Sequence, residues 1–291
     1  MYKLDLFGGI ALEGPDGPLT GRVMQRHPLA LLSVLASSTS CTCGRDRMIG
    51  LLWADQSEDR ARHNLSDALY VIHKSLGDEA VQARGDLLYL DSAHLRTDVC
   101  EFEAALTGGR IEDAVALYRG PLLDGFGLSC LKEFEEWCES RRQFYAFKYG
   151  QALEHLARQA ETRGDLPAAI EWWKQRARHS PYNSAIARIC VQALLTHGDP
   201  GDAVRFAREH IQGLRDNLDV EPPEDLAAVA SGNPPFKAPT HTYDTPPQPN
   251  PALHVPSPPR ANPSTPAWRQ PWVGAVVVLA ALLGWLLLFW W

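Results

Sequence analysis

ARHNLSDALYVIHKSLG, residues 61–77, decides how the chain is read. Placed at about 100° per residue with Leu65 at zero, Ala61, Leu65, Ala68, Leu69, Ile72 and Leu76 gather within about 60° of one direction, the buried stripe of an amphipathic helix. The opposite side carries Arg60, His63, Asp67, Tyr70 and Lys74, with Asn64 and Ser66 on the flanks. Whether that polar face is idle or reads something depends on its neighbours.

Upstream, YKLDLFG and GIALEG alternate in strand fashion around the turn-rich GPDGP and predict an N-terminal antiparallel sheet. HPLALLSVLAS has apolar residues at helix spacing, and GRDRMIGLLW, with Asp46 near its start, predicts a second helix. Downstream, VQARGDLLYL folds two apolar runs about Arg84-Gly85-Asp86, a hairpin. Sheet, three helices and a terminal hairpin, over residues 1–97, is the order of a winged helix-turn-helix, whose last helix enters the DNA major groove. On that geometry Asn64 can read adenine bidentately and Asp67 can accept from cytosine N4, with His63 and Tyr70 on the same face. Arg60, Arg62 and Lys74 are the expected phosphate contacts, and Arg84 stands where a wing residue would. Each is also a residue type common on solvated surfaces, and only the order of elements raises the group above that. Electrostatics argue the other way. Residues 1–97 hold 10 Lys+Arg against 12 Asp+Glu, where a DNA-binding domain usually shows a basic footprint. Histidines 27, 63, 73 and 94 are the remaining source of positive charge.

Residues 98–230 read as helical throughout and contain a repeat. RGDLPAAIEW and HGDPGDAVRF place Gly-Asp turns at 164 and 198, 34 residues apart, the tetratricopeptide period, and GGRIEDAVALY is a looser copy around Gly109. Such helix pairs stack into a bundle whose groove commonly takes a partner. With 15 Lys+Arg and 22 Asp+Glu, this block is not expected to touch DNA.

Thirteen of the 22 prolines fall between Pro234 and Pro271, so residues 231–271 are expected to be a disordered linker. In polyproline form its 41 residues reach roughly 120 Å. WVGAVVVLAALLGWLLLFWW, residues 272–291, is twenty uncharged residues, about one bilayer core in length as a helix, and predicts a transmembrane span. Arg260 and Arg269 precede it, and Trp268, Trp272, Trp290 and Trp291 flank it, which keeps the N-terminal domains in the cytoplasm. The six cysteines have no paired C-x-x-C spacing and are expected to be reduced thiols, not zinc ligands. No Gly-rich phosphate loop, G-x-S-x-G elbow or H-E-x-x-H spacing occurs, so no enzyme activity, catalytic residue, metal or cofactor is expected.

The expected fold is therefore mainly α with a small β component: a winged helix-turn-helix, a tetratricopeptide-like bundle, a Pro-rich linker and one membrane helix. Across roughly residues 2–229 the chain resembles the bacterial transcriptional activator domain family of the antibiotic-regulatory-protein type. LLWAD at 51–55, ARHNLSDAL, KSLG and LYLD carry the likeness in the first part; Asp98 with Phe102, LYRGPLLDGF at 117–126, the Trp137-to-Arg142 segment and VEPPEDL carry it in the second. The resemblance implies a transcription regulator on double-stranded DNA, often as a tandem or homodimer, with the helical domain aiding assembly or contacting RNA polymerase. Two departures from the pattern stand out: Ile72-His73 stands where the family usually has Leu-Arg, and Asp67 puts a negative charge on the outward face. A single span after such a regulator is similar in layout to membrane-integrated activators, so a signal is expected through the repeats, a membrane partner or the lipid. Two readings stay open here: a membrane-anchored DNA-binding regulator, and a membrane-tethered interaction module whose winged helix no longer binds DNA.

Overall fold

The computed structural model describes residues 1–128 and 131–233. The linker from residue 234 and the expected span at 272–291 lie outside the described residues, among which no helix is long and apolar enough to cross a membrane. Mainly helical with a small β part, the described residues fall within one compact unit.

Strand β1 (Tyr2–Asp5) pairs antiparallel with β2 (Ala11–Gly14), which hairpins into β3 (Gly17–Pro18). The helices follow as expected: α1 (Arg26–Ala36), buried from Pro28 to Ala36, then α2 (Arg45–Leu52) and α3 (Glu58–Leu76). Glu58 and Asp59 lie in the first turn of α3 and His73 and Lys74 in its last, each sign favoured by the helix dipole. Gly77 ends it with φ 88, a conformation side chains resist. Strands β5 (Val81–Arg84) and β6 (Leu87–Leu90) form the hairpin, with Gly85 at φ 60 in its two-residue turn. Two pairings were not foreseen. A short β4 (Thr42–Gly44) adds to β6 and makes the wing three-stranded, and β7 (Leu95–Thr97) joins β1 in parallel, so the N-terminal sheet is not purely antiparallel.

Next come α4 (Asp98–Thr107) and α5 (Ile111–Leu117), then the 32-residue α6 (Lys132–Arg163), about 48 Å long. After it α7 (Leu166–His179), α8 (Ser184–His197), α9 (Pro200–Leu218) and α10 (Glu224–Ala230) pack each on the one before. The Gly-Asp repeat is explained by its turns. Gly164 and Gly198 follow the ends of α6 and α8, and Asp165 and Asp199 cap the next helices by accepting the N–H of Ala168 and Gly201. Ala169 and Ala203, small and buried, then let each helix approach its predecessor.

Packing does not break at residue 97. One apolar core runs from Leu4 to Tyr145, and a second from Ala157 to Val229, so α6 belongs to both. The joint is built by the very residues that carried the family likeness. The buried Asp98 carboxylate accepts the N–H groups of Leu6 and Phe7, each at 2.9 Å. Phe102 meets Phe7 and Tyr145 edge-on. Leu123 donates its N–H to Leu6 and Gly8 donates to Pro121, while Arg119 pairs with Asp5 at 2.9 Å. Gly120 passes Gly8 so closely that a Cβ there would come within 2.9 Å of the Gly8 Cα. From α6, Arg142 donates to the carbonyls of Leu122, Leu123 and Phe126, satisfying backbone acceptors where the segment turns.

Candidate nucleic-acid interface

The apolar stripe of α3 is buried as its spacing requires, with Val71 added to it. Arg60, His63, Ser66, Asp67, Tyr70 and Lys74 are exposed, Tyr70 at 61%. An exposed tyrosine on a polar helix face presents an amphipathic ring to solvent. Arg60 and Lys74 have no ion-pair partner among the described residues, whereas Arg62 pairs with Glu58 at 2.5 Å and His63 lies 3.4 Å from Asp67. Arg84 projects from the wing with its guanidinium 5.3 Å from the Tyr89 ring centre, and the wing is tied to the start of α2 by an Arg45 N–H bonded to the Asp86 carbonyl.

Asn64 is half-buried and donates from Nδ2 to Gln56 Oε1 at 2.6 Å. Gln56, also half-buried, lies in the turn between α2 and α3. The pair sits in a groove lined also by Arg22, Gln25, His27 and Asp67. Sequence reading missed this groove, because its residues come from three separated segments and no period links them. The one available signal was the position of Gln56 in the turn entering the outward-facing helix.

The histidines do not act as a group. His27 stacks on Trp53, ring centres 5.2 Å apart, and burial lowers its pKa against a bond with the Leu52 backbone. His73 donates from Nε2 to the Val81 carbonyl at 2.7 Å, tying α3 to β5, and His94 lies 3.0 Å from Glu79. Of the four, only His63 lies on the outward face. The residue at the Leu-Arg departure is therefore turned to the wing rather than outward.

An exposed polar helix face flanked by a three-stranded sheet and followed by successively packed helices is consistent with a winged helix joined to a helical domain. Residues 92–232 match the family model described as the bacterial transcriptional activator domain. Among solved structures, Mycobacterium tuberculosis EmbR in complex with a low-affinity phosphopeptide superposes with a TM-score of 0.54 at 19% identity, over 81% of this chain and 66% of that one. The two share a fold, and the chain spans just under two thirds of the EmbR chain. No curated protein matches the sequence.

Proposed function

We propose that the chain is a sequence-specific, DNA-binding transcriptional regulator in which α3 enters the major groove and the β5–β6 wing meets the flanking backbone. The observation that carries this is the outward face of α3: its buried stripe faces the core, and Arg60, His63, Asp67, Tyr70 and Lys74 are left to solvent beside a formed wing. Arg60, Lys74, Arg62 and Arg84 supply phosphate contacts; Asn64, with Gln56, and Asp67 supply base contacts. The helical pairs contact polymerase, another protein or a second copy on a repeated site. In support, Phe144 and Phe147 are exposed one turn apart on α6, Phe147 at 64%. Residues 272–291 anchor the regulator in the cytoplasmic membrane with these domains in the cytoplasm, a reading supported by twenty uncharged residues and tested by fractionation with and without them.

A second reading, a membrane-tethered interaction module, is favoured by the excess of acidic residues in 1–97. Selection from a random-sequence duplex library separates the two. Full-length protein in mild detergent, with its helical content checked, is expected to enrich one short, repeated site and to lose it between about 50 and 200 mM salt, as released counterions dictate. A His63→Ala, Asn64→Ala, Lys74→Ala triple variant is expected to enrich nothing. No enrichment by the folded wild type at low salt supports the module instead.

A further inference from the structure

The connection between α1 and β4 packs Cys41 against the edge of the first core. Ser40 and Cys41 both have left-handed backbones, φ 56 and 54, which non-glycine residues rarely adopt and which surrounding structure must hold. What is held there is a thiol: Cys41 Sγ lies 2.8 Å from Cys100 Sγ, 59 positions along the chain in the first turn of α4. Cys100 is itself fixed, its N–H capped by Thr97 Oγ1 and its sulfur 3.5 Å from the Ala36 carbonyl. An approach of about 0.8 Å would bring the two sulfurs to bonding distance.

Both sulfurs line an open cavity whose charged residues are Arg141, Lys148 and Glu103. Lys148 is engaged by Glu103 at 2.6 Å, whereas Arg141 overlies Phe144 and has no ion pair among the described residues. Cys43, Cys138 and Cys190, by contrast, are buried. The bond between the two sulfurs holds the Cys100 pKa down against burial and pushes the Cys41 thiol up. Cys100 lies in the first turn of α4, where the helix N-terminus favours a thiolate, so it is assigned as the attacking sulfur and Cys41 as the resolving one.

We propose that Cys41 and Cys100 form a reversible disulfide site, oxidised by thiol–disulfide exchange with a small, carboxylate-bearing disulfide admitted beside Arg141. The Cys100 thiolate attacks one sulfur of the reagent, whose S–S bond breaks and releases one thiolate. Cys41 then attacks Cys100 Sγ, gives its proton to solvent, and expels the second thiolate. Two protein thiols lose two electrons and two protons, and the reagent disulfide becomes two thiols. The bond ties the segment leading into the wing to α4, so it joins the DNA-facing part to the helical part covalently.

Full-length protein in mild detergent is treated with oxidised glutathione, quenched by alkylation and mapped as peptides without reduction. The expected product is a Cys41–Cys100 cross-link reversed by dithiothreitol. Cys41→Ser is expected to stop at a glutathione adduct on Cys100, forming at least about tenfold faster than any adduct on Cys138 or Cys190, whose burial shields them. Arg141→Ala is expected to slow this adduct several-fold with glutathione disulfide but not with neutral hydroxyethyl disulfide. Absence of the cross-link in folded wild type, or a Cys41→Ser variant whose Cys100 reacts no faster than the buried thiols, would overturn the proposal. Equal slowing of both reagents would overturn the part assigned to Arg141.

Discussion

The outward face of α3 and the joint around Asp98 are opposite in almost every physical respect. The joint is buried and bonded: Asp98 and Arg142 engage backbone groups from segments far away in the chain, and Phe102 fills the space among them. The α3 face is exposed and loosely partnered, with Arg60 and Lys74 free of ion pairs among the described residues. The matched residues 92–232 take in Asp98, Phe102 and Arg142 and leave out α3. The match therefore speaks for the joint and the helices after it, and the α3 face has to be judged from its own geometry.

That contrast can be broken first at Phe102, fully buried between the first strand and α6. Phe102→Ala is expected to cost about 3–5 kcal/mol in urea denaturation, with the wing and α4–α6 lost together. A cost below about 1 kcal/mol would mean that the first core is not shared.

Asp98 sharpens the comparison through pH. Burial pushes its pKa from the ordinary 3.8 up to about 6, outweighing the bonds from Phe7 and Leu6 that favour its charged form. Between those values the folded chain holds a proton that the unfolded chain has released, so this contribution to stability is present below the lower pKa and is lost as pH rises through the upper one. At about 1.4 kcal/mol per pH unit the loss is about 3 kcal/mol. The stability of wild type relative to Asp98→Asn is expected to fall by about that amount from about pH 4 to pH 7 in parallel denaturant titrations. A pH-independent difference would mean that the carboxylate is better solvated by its neighbours than its burial indicates.

The smallest effects belong to the repeat turns. Asp165→Ala and Asp199→Ala each remove one capping acceptor and are expected to cost about 1 kcal/mol, read by the fluorescence of Trp173 in the second core. Neither is expected to alter DNA selection.

Much of this was legible in the sequence because it is local. The stripe of α3, the Gly85 turn and the Gly-Asp repeat are written at spacings of two to four residues, or at one fixed period, and all of them appear where expected. What was not legible depends on distant partners. The β1–β7 pairing, the Asp98 bonds across about ninety positions, the Asn64–Gln56 pair and the contact of Cys41 with Cys100 leave no periodic trace. LYRGPLLDGF was visible as a family motif, but its work as the clamp on the first strand appears only when Leu123 and Arg142 are seen against Leu6 and its neighbours. On the candidate interface, the face was legible and the groove around Gln56 was not.

The most direct test of the central claim is the ratio of affinities for the selected duplex and a scrambled one, measured by fluorescence anisotropy at a single salt concentration. Wild type is expected to give a ratio of about 1,000 or more, and the His63, Asn64, Lys74 triple alanine variant, with unchanged helical content, a ratio within about tenfold of unity. A triple variant that keeps the wild-type ratio would show that α3 does not read the DNA.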